Sequence, residues 1–168
     1  MITVATLKDA SELEKLINSA YRGEASKKGW ATEAALLKGK RIALDELEEI
    51  IKDKDNTILK YTENNQIIGS VLLTNKGNKL YLGMLAISPE LQNRGLGKKL
   101  LHEAEVHAIS LGLSKIVMTV ITVREKLIDW YIRHGYTDTG KREPFIINDH
   151  DTIITDQPFE FVVLEKII

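Results

Sequence analysis

The chain has 168 residues, 43% of them apolar and 28% charged, a composition suited to one globular domain with a substantial core. Its net charge of −1 offers no general attraction for nucleic acid or an anionic membrane surface. It has no cysteine, which excludes disulfides, thiolate metal sites and a cysteine nucleophile. No apolar run has membrane length and Met1–Thr6 has no signal core, so the expectation is a cytoplasmic protein forming one domain over residues 1–168.

Ile2–Thr6 alternates as a short strand, and Asp9–Tyr21 carries Leu13, Leu16, Ile17 and Ala20 at helical spacing. Arg22–Lys40 is polar and irregular, with Gly23, Gly29 and Gly39, a lone Trp30 and a helix-start signal at Thr32-Glu33. Leu44–Ile51 is a second amphipathic helix. Thr57–Thr62 and Gln66–Thr74 flank Glu63-Asn64-Asn65 as a hairpin, and the turn Asn75–Asn78 leads to a third strand, Leu80–Ser88. A helix over Lys98–Leu111 follows, its stripe formed by Leu100, Leu101, Ala104, Ala108 and Leu111. Ser114–Val123 is β-branched and reads as a strand buried on both faces. Glu125–His134 is a further helix stopped by Gly135, Tyr136–Gly140 a short strand, Lys141–Pro158 a loop-rich segment and Phe159–Ile167 a terminal strand. The order βααβββαβαββ describes an α/β or α+β domain in which a meander precedes a crossover helix.

Gln92-Asn93-Arg94-Gly95-Leu96-Gly97 joins the Leu80–Ser88 strand to a helix start. The first N–H groups of a helix lack partners and sit at the positive end of its dipole, and two glycines let a ligand approach the backbone. Arg94, Lys98 and Lys99 add cations at an end where cations are unfavourable unless an anion joins them. The turn therefore reads as an anion site. Other motifs fail on spacing. A dinucleotide fingerprint needs Gly where Leu100 stands. A Walker A loop needs Gly at Gln92 and Ser or Thr at Lys99. His102 and His107 lie about 140° apart around a helix and share no metal face.

This order, with Gln-x-x-Gly-x-Gly between the Leu80–Ser88 strand and the next helix, resembles the GNAT superfamily of N-acetyltransferases. The strand Met84–Pro89 and the run Leu127–Tyr136, with its Trp-Tyr pair before Gly and an aromatic, are similar to the same family. The resemblance implies a mixed, mostly antiparallel sheet flanked by helices, with the fourth and fifth strands splayed. It implies acetyl-CoA as co-substrate and no metal. Gln92, Asn93, Arg94, Gly95, Leu96, Gly97 and Lys98 would then hold the coenzyme pyrophosphate, and Leu85, Ala86 and Ile87 would lie along the pantetheine. A backbone N–H near Leu85 would polarise the thioester carbonyl, and Tyr131 would protonate the leaving thiolate. Trp130 and Tyr136 read as packing residues. Arg124 stands where many members carry Asn, either reaching coenzyme phosphate or pantetheine or remaining a solvated charge. No general base is evident: Tyr81 and Gly83 occupy the strand positions where some members place Glu.

On the acceptor side, Tyr21, Glu24, Trp30 and Glu33 are the candidates, Trp30 as the wall of an amine pocket and the acids as partners of a cationic substrate. Trp30 as a loop anchor and Glu33 as a helix-start acid are the plainer readings. Glu143, Asp149, Asp151 and Asp156 read as solvated charges. The resemblance implies an enzyme acetylating a small-molecule amine, with no nucleic-acid or membrane partner. A protein acetyltransferase acting on Lys or an N-terminus, or a silent acyl-CoA-binding module, are the alternatives. Members often dimerise, so a homodimer is an assembly the resemblance allows.

Overall fold

The computed structural model describes residues 1–147 and 151–168, apart from the side chain of Glu24. The chain runs β1 (Ile2–Val4), α1 (Ala10–Tyr21), the single turn α2 (Gly23–Ser26), β2 (Leu37–Lys38), α3 (Leu44–Lys52), β3 (Asn56–Glu63), β4 (Gln66–Asn75) and β5 (Leu80–Ile87). It continues through α4 (Leu96–Ser110), β6 (Lys115–Ile121), α5 (Glu125–Arg133), β7 (Thr137–Glu143), β8 (Thr152–Ile153) and β9 (Phe161–Ile167). Seven strands form one sheet in the order β1-β3-β4-β5-β6-β9-β7. Every neighbouring pair is antiparallel except β5 and β6, which the α4 crossover makes parallel.

The expected order is present with three additions. The turn α2 and strand β2 fall in Arg22–Lys40, and β8 falls in Lys141–Pro158, both read as irregular. β2 and β8 pair only with each other, Leu37 opposite Ile153 and Lys38 opposite Thr152. Two-residue strands carry no periodicity, so the sequence pattern could not show them. Thr32-Glu33 does not open a helix. The Thr32 hydroxyl accepts the Ala34 N–H at 3.0 Å, and the Glu33 carbonyl accepts those of Leu36 and Leu37 at 2.9 and 3.0 Å, closing a turn that runs straight into β2.

Helices cover both faces of the sheet. On one face Leu13, Leu16, Ile17 and Ala20 of α1 and Leu47 of α3 pack with Ile58, Ile67, Met84 and Ala86. On the other, Leu100, Leu101, Ala104 and Ala108 of α4 and Tyr131 of α5 pack with Val71, Leu80, Leu82, Met118 and Leu164. Leu111, expected in the α4 stripe, ends the helix as its C-cap and is exposed. No helix among the described residues is long and apolar enough to cross a membrane.

Tyr136, just after α5, is 2% exposed, and its hydroxyl has no hydrogen-bond partner among the described residues. Its ring meets that of Tyr131 edge-on at 5.8 Å. A buried unpartnered hydroxyl costs about 1–3 kcal/mol. Tyr136→Phe is therefore expected to hold or raise stability, by up to about 1 kcal/mol in urea unfolding. A clear loss would mean that the hydroxyl is bonded.

Candidate functional site

The site begins with a fault in the sheet. Between the pairs Leu72–Gly83 and Ser70–Ala86, β4 supplies one residue, Val71, and β5 supplies two, Met84 and Leu85. This bulge puts Met84 at φ 47°, a conformation worth about 1–3 kcal/mol of strain in a non-glycine residue. β5 pairs with β6 only at Leu80–Ile116 and Tyr81–Val117, and beyond that point no pairing joins them. The Tyr81 hydroxyl and Thr119 Oγ1, 2.7 Å apart, tie the two strands where the gap opens. This is the splay expected of the fourth and fifth main-sheet strands.

Two cavities open off the gap, of about 220 and 270 Å³. They share Tyr21, Leu85, Arg124, Leu127 and Tyr131 as a common wall.

The larger cavity ends on the glycine turn. Gly95, at φ 78°, is the N-cap of α4, and no acid stands in the first helical turn. The first helical bond runs from Lys99 N–H to the Gly95 carbonyl at 3.2 Å, so the N–H groups before it have no partner in the helix. Gln92, Asn93, Gly95, Leu96, Gly97 and Lys98 line this end. Two of the expected residues stand elsewhere. Arg94 does not line the cavity, and its guanidinium lies 3.5 Å from the Glu63 carboxylate. Ala86 turns into the α1 side of the core, because alternation along β5 leaves only its neighbours Leu85 and Ile87 on the cavity.

Gln92 and Gly97 have packing roles in the turn. The Gln92 amide donates to the Ile87 carbonyl at 3.2 Å and accepts the Ala31 N–H at 3.2 Å, binding the 29–33 segment to the end of β5. A Cβ on Gly97 would lie 3.0 Å from the Trp130 ring. Trp130, read from sequence as core, lines this cavity with its ring 6.2 Å from that of Trp30 and 4.3 Å from that of His134. Trp30, expected on the acceptor side, is thus an aromatic wall of the turn cavity and does not line the other. Gly97→Val would press on Trp130 and narrow this cavity. We expect an overpacking cost of about 1–3 kcal/mol, read as a lower urea midpoint.

Two tyrosines stand in the common wall, Tyr131 buried and Tyr21 half-buried. Tyr131 is 5% exposed, and its hydroxyl makes no hydrogen bond among the described residues. Burial pushes its pKa well above the ordinary phenol value, with Tyr21 adding to the shift, so the group stays protonated. The Tyr21 hydroxyl donates to the Leu85 carbonyl at 2.5 Å, which pins the bulged strand. The Tyr21 ring has Arg41 5.6 Å and Arg124 5.8 Å from its centre. Burial raises the Tyr21 pKa as well, against the pull of both arginines.

Glu33 stands at the centre of a buried ion network. Its Oε1 is 3.0 Å from Arg22 Nε and its Oε2 is 3.2 Å from Arg124 Nη1. Arg22 also meets Asp151 at 2.8 Å, and Arg124 donates to the Ala31 carbonyl. Arg124 is therefore no solvated charge, since its guanidinium braces the 29–33 segment across the common wall. Glu33 serves neither as a helix-start acid nor as a free partner for a cationic substrate. Asp151, read as solvated, is buried at the Arg22 side chain. The side chain of Glu24 and the whole of Asp149 lie outside the described residues.

A family model for the acetyltransferase (GNAT) domain matches residues 19–145. The chain belongs to the GNAT acetyltransferase family. It is an acyltransferase, and its co-substrate is acetyl-CoA. Solved structures of several acetyltransferases share the fold. A Streptococcus pneumoniae acetyltransferase of the family is 22% identical, with TM-score 0.68 over 100% of this chain and 99% of its own. The Escherichia coli ribosomal-protein-S18-alanine N-acetyltransferase is 14% identical, with TM-score 0.74 over 100% and 94%. A Bacillus anthracis protein described as a streptothricin acetyltransferase, in complex with acetyl coenzyme A, is 18% identical, with TM-score 0.60 over 71% and 66%. A comparison with curated protein sequences finds no match.

In this GNAT enzyme the sequence pattern singled out the turn and Tyr131 but missed Arg41 and the pairing of Arg22 with Asp151. Arg22 and Asp151 are 129 positions apart, and nothing local marks them as partners. For Trp130 the missing signal is Gly97, which leaves room for an indole that only the fold brings to it.

Proposed function

We propose that this GNAT enzyme acetylates the primary amine of a small molecule by direct transfer, with Tyr131 as general acid. The observation that carries this reading is the meeting of two cavities at Tyr131 and Leu85, one ending on the glycine turn and the other in the arginine network. The unpartnered N–H groups from Gly95 onward suit a pyrophosphate. Leu85 and Ile87 offer backbone to the pantetheine, as in an added strand. The thioester then falls at the common wall.

The amine nitrogen attacks the thioester carbonyl, the C–N bond forms, the C–S bond breaks, and the thiolate takes the Tyr131 proton. A backbone N–H at the bulge beside Leu85 is suited to steady the developing oxyanion. Glu33 and Asp151 are engaged by arginines, so neither is free to serve as base. Arg41, the one of the three arginines on this cavity with no carboxylate partner among the described residues, disfavours a protonated ammonium beside it and lowers the acceptor's pKa. The amine therefore reacts in its neutral form and gives up one proton to water after attack, and the Tyr131 phenolate takes a proton back from water to close the cycle.

The acceptor cavity, about 220 Å³, is below the roughly 300–1,000 Å³ usual for drug-sized ligands. The segment carrying Arg22 and Glu33 and the apolar side chains of Phe145, Ile146 and Phe161 wall it. A peptide chain would need an open groove. The deciding experiment incubates the protein with acetyl-CoA and a panel of small amines and short peptides, following thiol release. Small amines are expected to drive release. Turnover confined to peptides would overturn the small-molecule reading.

A further inference from the structure

The acceptor cavity carries more positive charge than its own acids neutralise. Arg22, Arg41 and Arg124 line it, against Glu33 and Asp151. Both acids are spent on Arg22 and Arg124, at 2.8–3.2 Å. The Arg41 guanidinium has no carboxylate partner among the described residues, and its charged end is held only over the Tyr21 ring. Its backbone is fixed independently, the Arg41 and Ile42 N–H groups donating to the Asn18 side chain at 2.6 and 3.1 Å. The cation is thus presented by a braced segment and left open toward the cavity. An unpaired guanidinium in a half-enclosed site is favourable when a planar anion joins it through two parallel hydrogen bonds.

The geometry points to an acceptor that bears a carboxylate as well as its amine, the carboxylate paired with Arg41 while the amine faces Tyr131. This rests on the small-amine reading above and narrows it to amino-acid-like acceptors. Phe145, Ile146 and Phe161 supply an apolar wall for the remainder of such a molecule. The same charge explains why a purely cationic amine is a poor fit: it would add a second like charge beside Arg41 with no free acid to meet it.

The test uses matched triads: a free amino acid, its amide and its decarboxylated amine, for example leucine, leucinamide and isopentylamine. The free acid is expected to show kcat/KM roughly 10–100-fold above the other two, the worth of a charged hydrogen-bonded pair. Arg41→Gln should erase that preference through KM, and Arg41→Lys should restore part of it. Equal rates across the triads, or an Arg41→Gln loss equally large for the amides, would overturn the proposal. Calorimetry on the protein saturated with coenzyme A separates the two readings. 4-Methylpentanoate, which has no amine, is expected to bind wild type and to lose that binding in Arg41→Gln. Absence of binding to wild type would also overturn it. Arg41-dependent binding of 4-methylpentanoate, with no amine of any kind acetylated, would uphold the carboxylate site and reject the small-amine reading instead.

Discussion

Tyr131→Phe is expected to lower kcat by about 10²–10⁴ while leaving the calorimetric affinity for acetyl-CoA close to that of wild type. The substitution removes only a hydroxyl that makes no hydrogen bond among the described residues, so no protein partner is orphaned and the ring contacts to Trp130 at 5.1 Å and Tyr136 at 5.8 Å persist. The loss should therefore be chemical. Burial, the larger cause, and the neighbouring Tyr21 hold the phenol well above its ordinary pKa, so its protonated form is fully present at neutral pH. The rate is then expected to show no alkaline limb from this residue below about pH 10, the phenol's unperturbed value. A basic limb near neutrality would instead belong to another group. A Phe variant with wild-type kcat would reject the acid role, whereas one with weakened acetyl-CoA binding would make Tyr131 a packing residue of the common wall.

The strand–turn–helix unit was legible because its signals are local. β5 alternates buried and half-buried residues, two glycines follow, and the α4 stripe begins at once. Its hexapeptide reads as an anion cradle, but Arg94 faces Glu63 while Gln92 and Gly97 have packing duties. These depend on Ala31 and Trp130, partners 61 and 33 positions away in sequence. The acceptor side was nearly illegible for the same reason. Tyr21 was named without its bond to Leu85, 64 positions on, and Trp30 was placed at the other cavity because no aromatic stands near it in sequence beyond Tyr21 while its neighbour in space is Trp130. Local periodicity reports which face of an element is apolar. It carries no information on which loop closes over which strand, and in this protein that closure separates the two cavities.

Glu33→Ala tests that closure most severely. The carboxylate is shared by Arg22 and Arg124, whose side chains are 5% and 9% exposed, and the Glu33 N–H also donates to the Tyr21 carbonyl at 2.8 Å. Removing one partner from a buried ion network leaves the other charges uncompensated, at a cost of about 3–5 kcal/mol. Unlike a replacement of the whole network by apolar residues, which is often neutral, the single truncation strands the Arg124 guanidinium without a carboxylate, while Arg22 keeps Asp151 at 2.8 Å. The expected result is a large drop in the urea midpoint with the slope unchanged. Glu90→Ala is the control, because its pair with Lys28 at 2.9 Å is exposed on both sides and is worth at most about 1 kcal/mol. The kinetic consequence should appear on both substrates. Arg124 holds the Ala31 carbonyl, Ala31 is bonded to Gln92, and the adjoining Trp30 walls the turn cavity, so freeing Arg124 is expected to loosen both cavities together. A Glu33→Ala protein as stable as wild type, with KM changed for the amine alone, would show that Glu33 meets substrate directly and that the arginines do not depend on it.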